Sequence, residues 1–275
     1  WIIREIESPK GYVLSEEEIA VTIGKVDEVV EIELVNYFIK GNIALTKVDE
    51  DYPDNKLSGA VFEVYSDTNG DGKLDKDDTL LGEMKELDGG VYQMSELRYG
   101  KYLVKETKAP TGFVLDENVY SVSVEENGKT YTVENKAGVG FINAAQKGSL
   151  KIVKTSSDGK VEGFSFRVTG VDYDQTFKTD KNGEIVIEGL RIGDYTVSEV
   201  SDKASAGYIL PADKQATVKV DATAIVQMHN EFRDTPKTGD DFNLGLWVSL
   251  AALSVVGAGV LGFVGYKNRK KKKED

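Results

Sequence analysis

Tyr102 to Phe113 reads YLVKETKAPTGF. Its last ten residues, VKETKAPTGF from Val104, recur as IREIESPKGY at Ile3–Tyr12. A looser copy, VSEVSDKASAGY, stands at Val197–Tyr208. Self-similarity at a domain-sized interval points to tandem domains. A second pattern, VNYFIKGNIALTKVD at Val35–Asp49, is echoed by INAAQKGSLKIVKTS at Ile142–Ser156. In both, an Asn precedes a Lys by 11 residues: Asn36 to Lys47, and Asn143 to Lys154. A third Asn, Asn230, lies in VQMHNEF, and 31 residues separate both Glu5 from Asn36 and Glu199 from Asn230.

The boundaries follow from these copies. Residues 1–40 read as the C-terminal part of a truncated domain, 41–147 as a complete domain and 148–232 as another, with 233–275 a separate tail. Each complete domain begins with a Gly and a strand, and short linkers predict a stiff stack. Short runs of alternating apolar and polar residues, as in YTVSEV and ATVKV, with Gly, Asp and Asn turns, give an all-β class.

Alternation also decides what points inward. Lys47 shares a strand face with Ile43 and Leu45, and Lys154 with Leu150 and Ile152. Glu106 follows Tyr102 and Val104, and Glu199 follows Tyr195 and Val197. Asn36 follows Ile32 and Leu34, and Asn230 follows Val226 and Met228. Each complete domain therefore turns one Lys, one Glu and one Asn toward its core. Lys and Glu are almost never fully buried without a partner. One reading is an ion pair at a strand end. The other is chemical: a desolvated amine is a nucleophile, a desolvated carboxyl shuttles protons, and an Asn carboxamide beside them can be attacked with loss of ammonia. The product is a Lys–Asn isopeptide bond.

At these residues the chain resembles a known family. YLVKETKAPTGF is similar to the E-box of Gram-positive pilins. The domains resemble the Cna-B/SpaA type, a seven-stranded prealbumin-like β-sandwich with an internal isopeptide bond. The resemblance implies crosslinks between Lys47 and Asn143 and between Lys154 and Asn230, with Glu106 and Glu199 as the catalytic acids. Glu5 and Asn36 fall to the truncated domain, whose Lys lies ahead of Trp1 in this reading. Asn135, on a face with Tyr131 and Val133, rivals Asn143; the 11-residue spacing favours Asn143. The third domain departs from the pattern: no Pro follows Glu199, and Gly207 is displaced by two residues.

Asp67 to Asp78, DTNGDGKLDKDD, fits a calcium-loop template. Asp67, Asn69, Asp71, Asp75 and Asp78 offer side-chain oxygens, and Lys73 offers its backbone carbonyl. Gly72 supplies the sharp turn. The last ligand is Asp where an EF-hand has Glu, which resembles dockerin loops. The flanks FEVY and TLLGEM read as strands, so the loop belongs to a β-hairpin; the plain alternative is a solvated acidic turn.

The C-terminal end carries three signals in order. Thr235-Pro236-Lys237-Thr238-Gly239 comes first, then Leu244–Tyr266 without a charged side chain, then a basic cluster at 267–273. At about 1.5 Å per helical residue the apolar run reaches about 35 Å, enough for one transmembrane helix. The basic cluster should stay cytoplasmic. The end resembles the LPXTG-type cell-wall sorting signal, with Thr235 where Leu is usual. That resemblance implies a sortase cutting after Thr238 and joining it to peptidoglycan or to another pilin subunit. The precursor is then membrane-inserted, and the product is extracellular and attached to a Gram-positive cell wall.

Composition narrows the function. The net charge of −13 argues against nucleic acid as a partner. There is no Cys, one His and no Ser/His/Asp arrangement, so nothing supports turnover. The Lys, Glu and Asn set reacts once. No organic cofactor is expected, and calcium is the one expected ion. The leading reading is a structural stalk, a pilin subunit or adhesin shaft. The alternative is the spacer and anchor of an exported enzyme or ligand-binding adhesin. Its active domain, and any contact with host surface ligands, would then lie ahead of Trp1.

Overall fold

The computed structural model describes residues 1–233; the pentapeptide at 235–239, the apolar run at 244–266 and the basic tail lie outside the described residues. Within them the chain is all-β. It has nineteen strands and no helix, hence none long and apolar enough to cross a membrane. The chain divides into two compact units, Trp1–Ala206 with Leu210–Asn230, and Gly207–Ile209 with the residues from Glu231 on. Both sandwich cores belong to the first.

The middle domain starts with β3 (Lys40–Asp49), whose alternate residues Gly41, Ile43, Leu45 and Lys47 are buried. It continues through β4 (Val61–Ser66), β5 (Thr79–Glu83), β6 (Lys85–Asp88) and β7 (Val91–Arg98). Then come β8 (Gly100–Lys108), β9 (Val119–Val124), β10 (Thr130–Thr132) and β11 (Phe141–Asn143). One sheet runs β10-β3-β7-β6, with β11 also on β3; the other runs β5-β4-β8-β9. Between them lie Ile43, Leu45, Phe62, Val64, Tyr92, Val104 and Phe141. The Phe62 ring meets Tyr92 and Phe141 edge-on at 5.2 and 5.0 Å, a favoured aromatic geometry. Nine segments stand where seven strands were expected, for a local reason. β5 and β6 are one run that changes sheet at Met84, and β10 and β11 are one run along β3 broken between Thr132 and Phe141.

The third domain repeats the plan. Its strands are β12 (Lys147–Ser156), β13 (Ser165–Gly170), β14 (Tyr173–Lys178), β15 (Glu184–Arg191), β16 (Gly193–Glu199), β17 (Tyr208–Ile209), β18 (Lys214–Val218) and β19 (Thr223–Phe232). β15, β12 and β19 form one sheet and β14-β13-β16-β18 the other. The added two-residue β17 pairs with Glu231 and Phe232 at the end of β19. In both domains the first strand lies parallel to the last and is flanked on its other side by an antiparallel strand, so the first strand is interior to its sheet.

Gly41 and Gly148 hold the same place at the start of the first strand. A Cβ on Gly148 would stand 2.1 Å from the Lys219 carbonyl oxygen, and one on Gly41 2.8 Å from that of Lys129. The crossing turn from the opposite sheet leaves no room for a side chain. A second repeated detail closes the turn that crosses from one sheet to the other. The Tyr102 hydroxyl donates to the Arg98 carbonyl at 2.6 Å, and Tyr195 to Arg191 at 2.8 Å.

The first forty residues depart from expectation. β1 (Ile2–Arg4) and β2 (Glu18–Ala20) form a two-stranded ladder, but Glu31–Asn36 is not a strand. Ile32 is 39% exposed. A strand needs a neighbour to pair with, and among the described residues none runs beside this stretch as β3 does beside β11.

Candidate functional site

Strand β3 carries Lys47 inward and β11 carries Asn143 inward, while Glu106 comes from β8 on the facing sheet. All three are buried: Lys47 and Glu106 are fully inaccessible, and Asn143 is 3% exposed. The parallel register sets Lys47 opposite Phe141, so Asn143 is its diagonal neighbour on one face. The third domain has the same register: Lys154 stands opposite Met228, two residues before Asn230. Diagonal neighbours on one sheet face lie within reach of a long side chain.

Glu106 sits between amine and amide. Asn143 Nδ2 donates to both Glu106 oxygens at 3.0 Å, and Lys47 Nζ stands 3.6 Å from Oε1. Nζ also donates to the Phe141 carbonyl at 3.2 Å and lies 4.9 Å from the Phe141 ring centroid. The backbone N–H of Asp116 donates to Glu106 Oε2 at 2.8 Å. Burial pushes the Lys47 amine from its ordinary 10.5 down to about 8, against the pull of Glu106. Burial pushes the Glu106 carboxyl up, against the hydrogen bonds from Asp116 and Asn143. Burial thus shifts both groups toward their neutral forms, the direction that proton transfer and amide attack require.

The third-domain set is looser. Asn230 Nδ2 donates to Glu199 Oε1 at 2.6 Å, but Lys154 Nζ donates to the Thr155 carbonyl at 2.6 Å. Glu199 Oε2 is buried with no hydrogen-bond partner, as are Asn143 Oδ1 and Asn230 Oδ1. Burial again lowers the Lys154 amine and raises the Glu199 carboxyl. In the N-terminal segment Asn36 Nδ2 donates to Glu5 at 2.7 and 2.9 Å, and Ser15 N–H donates to Glu5 at 2.7 Å. That copy holds the Glu–Asn half of the set, with the Glu anchored ten residues on, as Glu106 is.

Asn135 sits elsewhere. Its Nδ2 donates to Asp116 Oδ2 at 2.8 Å and to the Ile142 carbonyl at 2.9 Å, and its Oδ1 accepts from the Ile142 N–H at 2.6 Å. Of the two Asn residues, only Asn143 is hydrogen-bonded to Glu106. Asp116, which sequence reading passed over, is a hub: its carboxylate also accepts from Tyr120 and Asn118, both at 2.7 Å. Its one sequence signal is its place ten residues beyond the Glu, shared with Ser15.

The acidic loop joins β4 to β5, an antiparallel hairpin. Most of its side chains accept backbone N–H groups: Asn69 from Asp71 at 3.0 Å, Asp71 from Lys73 at 2.8 Å, and Asp78 from Asp75 at 2.9 Å and Thr68 at 3.1 Å. Asp67 is 8% exposed; its Oδ2 accepts from Gly72, while Oδ1 is buried without a partner. No group of three His, Cys, Asp or Glu side chains is gathered closely enough to hold a metal among the described residues. The donor order and the orphaned Asp67 oxygen fit a hard cation; the carboxylates are otherwise turned onto backbone amides. Thr235, Pro236, Lys237, Thr238 and Gly239 lie outside the described residues.

Two tandem sandwiches with parallel first and last strands and a buried Lys, Glu and Asn define an all-β protein of the prealbumin-like class. The chain belongs to the SpaA prealbumin-like fold domain family, whose model matches residues 41–137 and 148–232. Among solved structures it is similar to the Bacillus anthracis TIE protein: 26% identity, TM-score 0.64, 84% of this chain and 41% of that one. The chain thus spans about two fifths of that structure's length. Looser likenesses are GBS52, the minor pilin of Streptococcus agalactiae (17% identity, TM-score 0.32, 73% of this chain and 100% of that one) and the shaft pilin SpaA of Lactobacillus rhamnosus GG (14%, 0.32, 72% and 99%). At those scores the two pilins carry no weight for the fold. No curated protein matches the chain.

The lowered Lys47 amine has a consequence for pH. In an Asn143→Ala chain Lys47 stays a free amine that loses its proton near pH 8 when folded and near 10.5 when unfolded. Between those values the unfolded state binds more protons, so stability should rise with pH, by up to about 1.4 kcal/mol per unit. Below about 8 the penalty is fully present. Hydrogen exchange of the β3 and β4 amides, compared with a Lys47→Met/Asn143→Ala chain, measures it. A flat difference across that window would mean the folded amine stays charged.

Proposed function

We propose that this chain is the stalk of a sortase-anchored bacterial surface protein, a pilin subunit or adhesin shaft, stiffened by self-formed Lys–Asn isopeptide bonds. The observation that carries the reading is the Lys47–Glu106–Asn143 geometry, with its parallel register repeated at Lys154 and Asn230. Lys47 Nζ attacks Asn143 Cγ, the Nζ–Cγ bond forms, and the Cγ–Nδ2 bond breaks. Glu106 takes a proton from Nζ and delivers one to Nδ2, which leaves as ammonia. The set is consumed, so the role is structural and not enzymatic. Membership of the SpaA family supports a cell-surface location and assembly with other pilin subunits.

The mechanical gain follows from the topology. Load enters β3 at Lys40 and leaves β11 at Asn143; a bond from Lys47 to Asn143 takes nearly the whole sandwich off the load path. Treated like a disulfide, a closed loop on the order of 100 residues contributes about 4–5 kcal/mol through the unfolded state.

Intact mass tests the bond. The chain should weigh one ammonia less for each bond, and a tryptic digest should hold a branched peptide joining the Lys47 and Asn143 segments. Glu106→Ala should restore the middle domain's ammonia and lose about 4–5 kcal/mol, more than the ~1 kcal/mol of a hydrogen bond. Linear recovery of both segments from the unmutated chain would reduce Lys47 to a paired core lysine.

Calcium is proposed for Asp67–Asp78, supported by the ligand order and the unpartnered Asp67 Oδ1. Bound only by the folded hairpin, it should raise middle-domain stability by mass action. Titration calorimetry should show binding that Asp67→Asn weakens at least about tenfold, since a charged ligand is lost. Absence of heat at millimolar calcium would leave a solvated acidic turn.

Wall anchoring is proposed through Thr235–Gly239, from the order of pentapeptide, apolar run and basic tail. In the host, Thr238→Ala should move the protein from the wall digest to the membrane fraction. Unchanged wall attachment would end the sortase reading.

A further inference from the structure

The stretches that leave each domain are held in one repeated way. Past Asn143, the Val114 N–H donates to Ala144 O at 2.9 Å and the Gln146 N–H to Gly112 O at 2.8 Å. Past Asn36, the Val13 N–H donates to Tyr37 O at 2.8 Å and the Ile39 N–H to Gly11 O at 2.9 Å. Past Asn230, the Arg233 N–H donates to Gly207 O at 2.7 Å. The loop after each Glu thus clasps the chain as it exits.

The next domain then grips the same linker from its far side. The Ile192 N–H donates to Gln146 O at 3.1 Å, and in the earlier joint the Tyr99 N–H donates to Ile39 O at 3.0 Å. Gln146 is therefore hydrogen-bonded to the middle domain through its N–H and to the third through its carbonyl. Linkers between domains commonly leave room for relative motion; this one has its backbone groups committed on both sides.

Side chains close the second joint. Arg191, at the end of β15, donates from Nη1 to Asp49 Oδ2 at 2.6 Å and from Nη2 to Asp49 Oδ1 at 2.8 Å. Nη2 also reaches Asp51 Oδ2 at 3.0 Å, and Lys147 Nζ stands 3.2 Å from the same oxygen. The guanidinium lies 4.9 Å from the Tyr52 ring centroid and 5.9 Å from that of Phe113. The Asp49 side chain is 3% exposed and that of Arg191 14%. A two-pronged, largely buried guanidinium–carboxylate fork fixes orientation as well as contact, unlike an exposed ion pair. In the earlier joint the matching Arg98 stacks on Phe38, 3.9 Å from its centroid.

We infer that the boundary at Gln146–Lys147 is a locked joint. Arg191 of the third domain clamps Asp49 and Asp51 of the middle domain, so the two sandwiches move as one body. Asp49 lies two residues beyond Lys47 and opposite Asn143 in the ladder. The clamp therefore grips the end of the strand pair on which the proposed crosslink sits. It does not depend on that crosslink, because every contact in it is a hydrogen bond, an ion pair or a ring contact.

The test uses the whole chain, which has no native Cys and so takes spin labels only where they are placed. Labels go at Glu83→Cys and Thr176→Cys, exposed positions on β5 and β14. Pulsed dipolar spectroscopy should give one narrow distance distribution. Arg191→Gln, which keeps the stem and loses the charge, should broaden it at least about twofold as the joint reverts to ordinary linker motion. Asp51→Asn should broaden it less, and Glu106→Ala should leave it narrow. A broad distribution in the unmutated chain, or an unchanged one in Arg191→Gln, would overturn the lock. If Arg191→Gln unfolds the third domain, the partly exposed Asp51→Asn decides alone: broadening supports the lock and an unchanged width refutes it.

Discussion

An amine and a carboxyl share a dry core in the middle domain, with Lys47 Nζ 3.6 Å from Glu106 Oε1 and neither exposed. Burying either alone would cost several kcal/mol, and burying both as ions recovers that only with full hydrogen bonding. Here burial moves both groups toward their neutral forms, the amine down and the acid up. A neutral amine held near an amide is a reactant. The polar set that would weaken an ordinary sandwich becomes, in the proposed function, the source of its covalent closure.

The parallel pairing of first and last strands makes this geometry available. β3 beside β11, and β12 beside β19, put the entry and exit of each domain on neighbouring strands at opposite ends. Lys and Asn then meet diagonally on one inward face, and the acid arrives from the facing sheet. The third domain shows what anchoring adds. Glu106 receives the Asp116 N–H, whereas Glu199 keeps one buried oxygen without a partner and Lys154 turns to a carbonyl of its own strand. The same residues in the same register are less tightly gathered where the loop after the Glu is altered.

That loop also serves the exit of the domain. The Gly–aromatic pair that closes it bridges to the residue two past the Asn in every copy: Tyr12 to Phe38, Phe113 to Ala145, and Tyr208 to Phe232. One short motif thus places the residues around the acid and holds the departing chain. The acidic hairpin between β4 and β5 is separate from this. It is an insertion at the far end of two strands, where polar side chains can cap backbone amides without disturbing the core.

Much was legible in the sequence because two periodicities carry it. The period of two in strands named Lys47, Glu106, Lys154, Glu199 and Asn230 as inward-facing, and the long repeat gave the tandem domains. Burial of these residues needs only the strand and its sheet face, both local properties. Other features depend on chain segments far apart in sequence. Alternation alone could not separate Asn143 from Asn135; only the fold sets one against Glu106 and the other against Asp116. Ile32, Leu34 and Asn36 alternate as a strand should, yet no neighbour among the described residues pairs with them and no strand forms. The Arg191 fork onto Asp49 and Asp51 spans about 140 residues of chain. No local pattern marks it, because an ion pair is chosen by which surfaces meet and not by the spacing of residues along the chain.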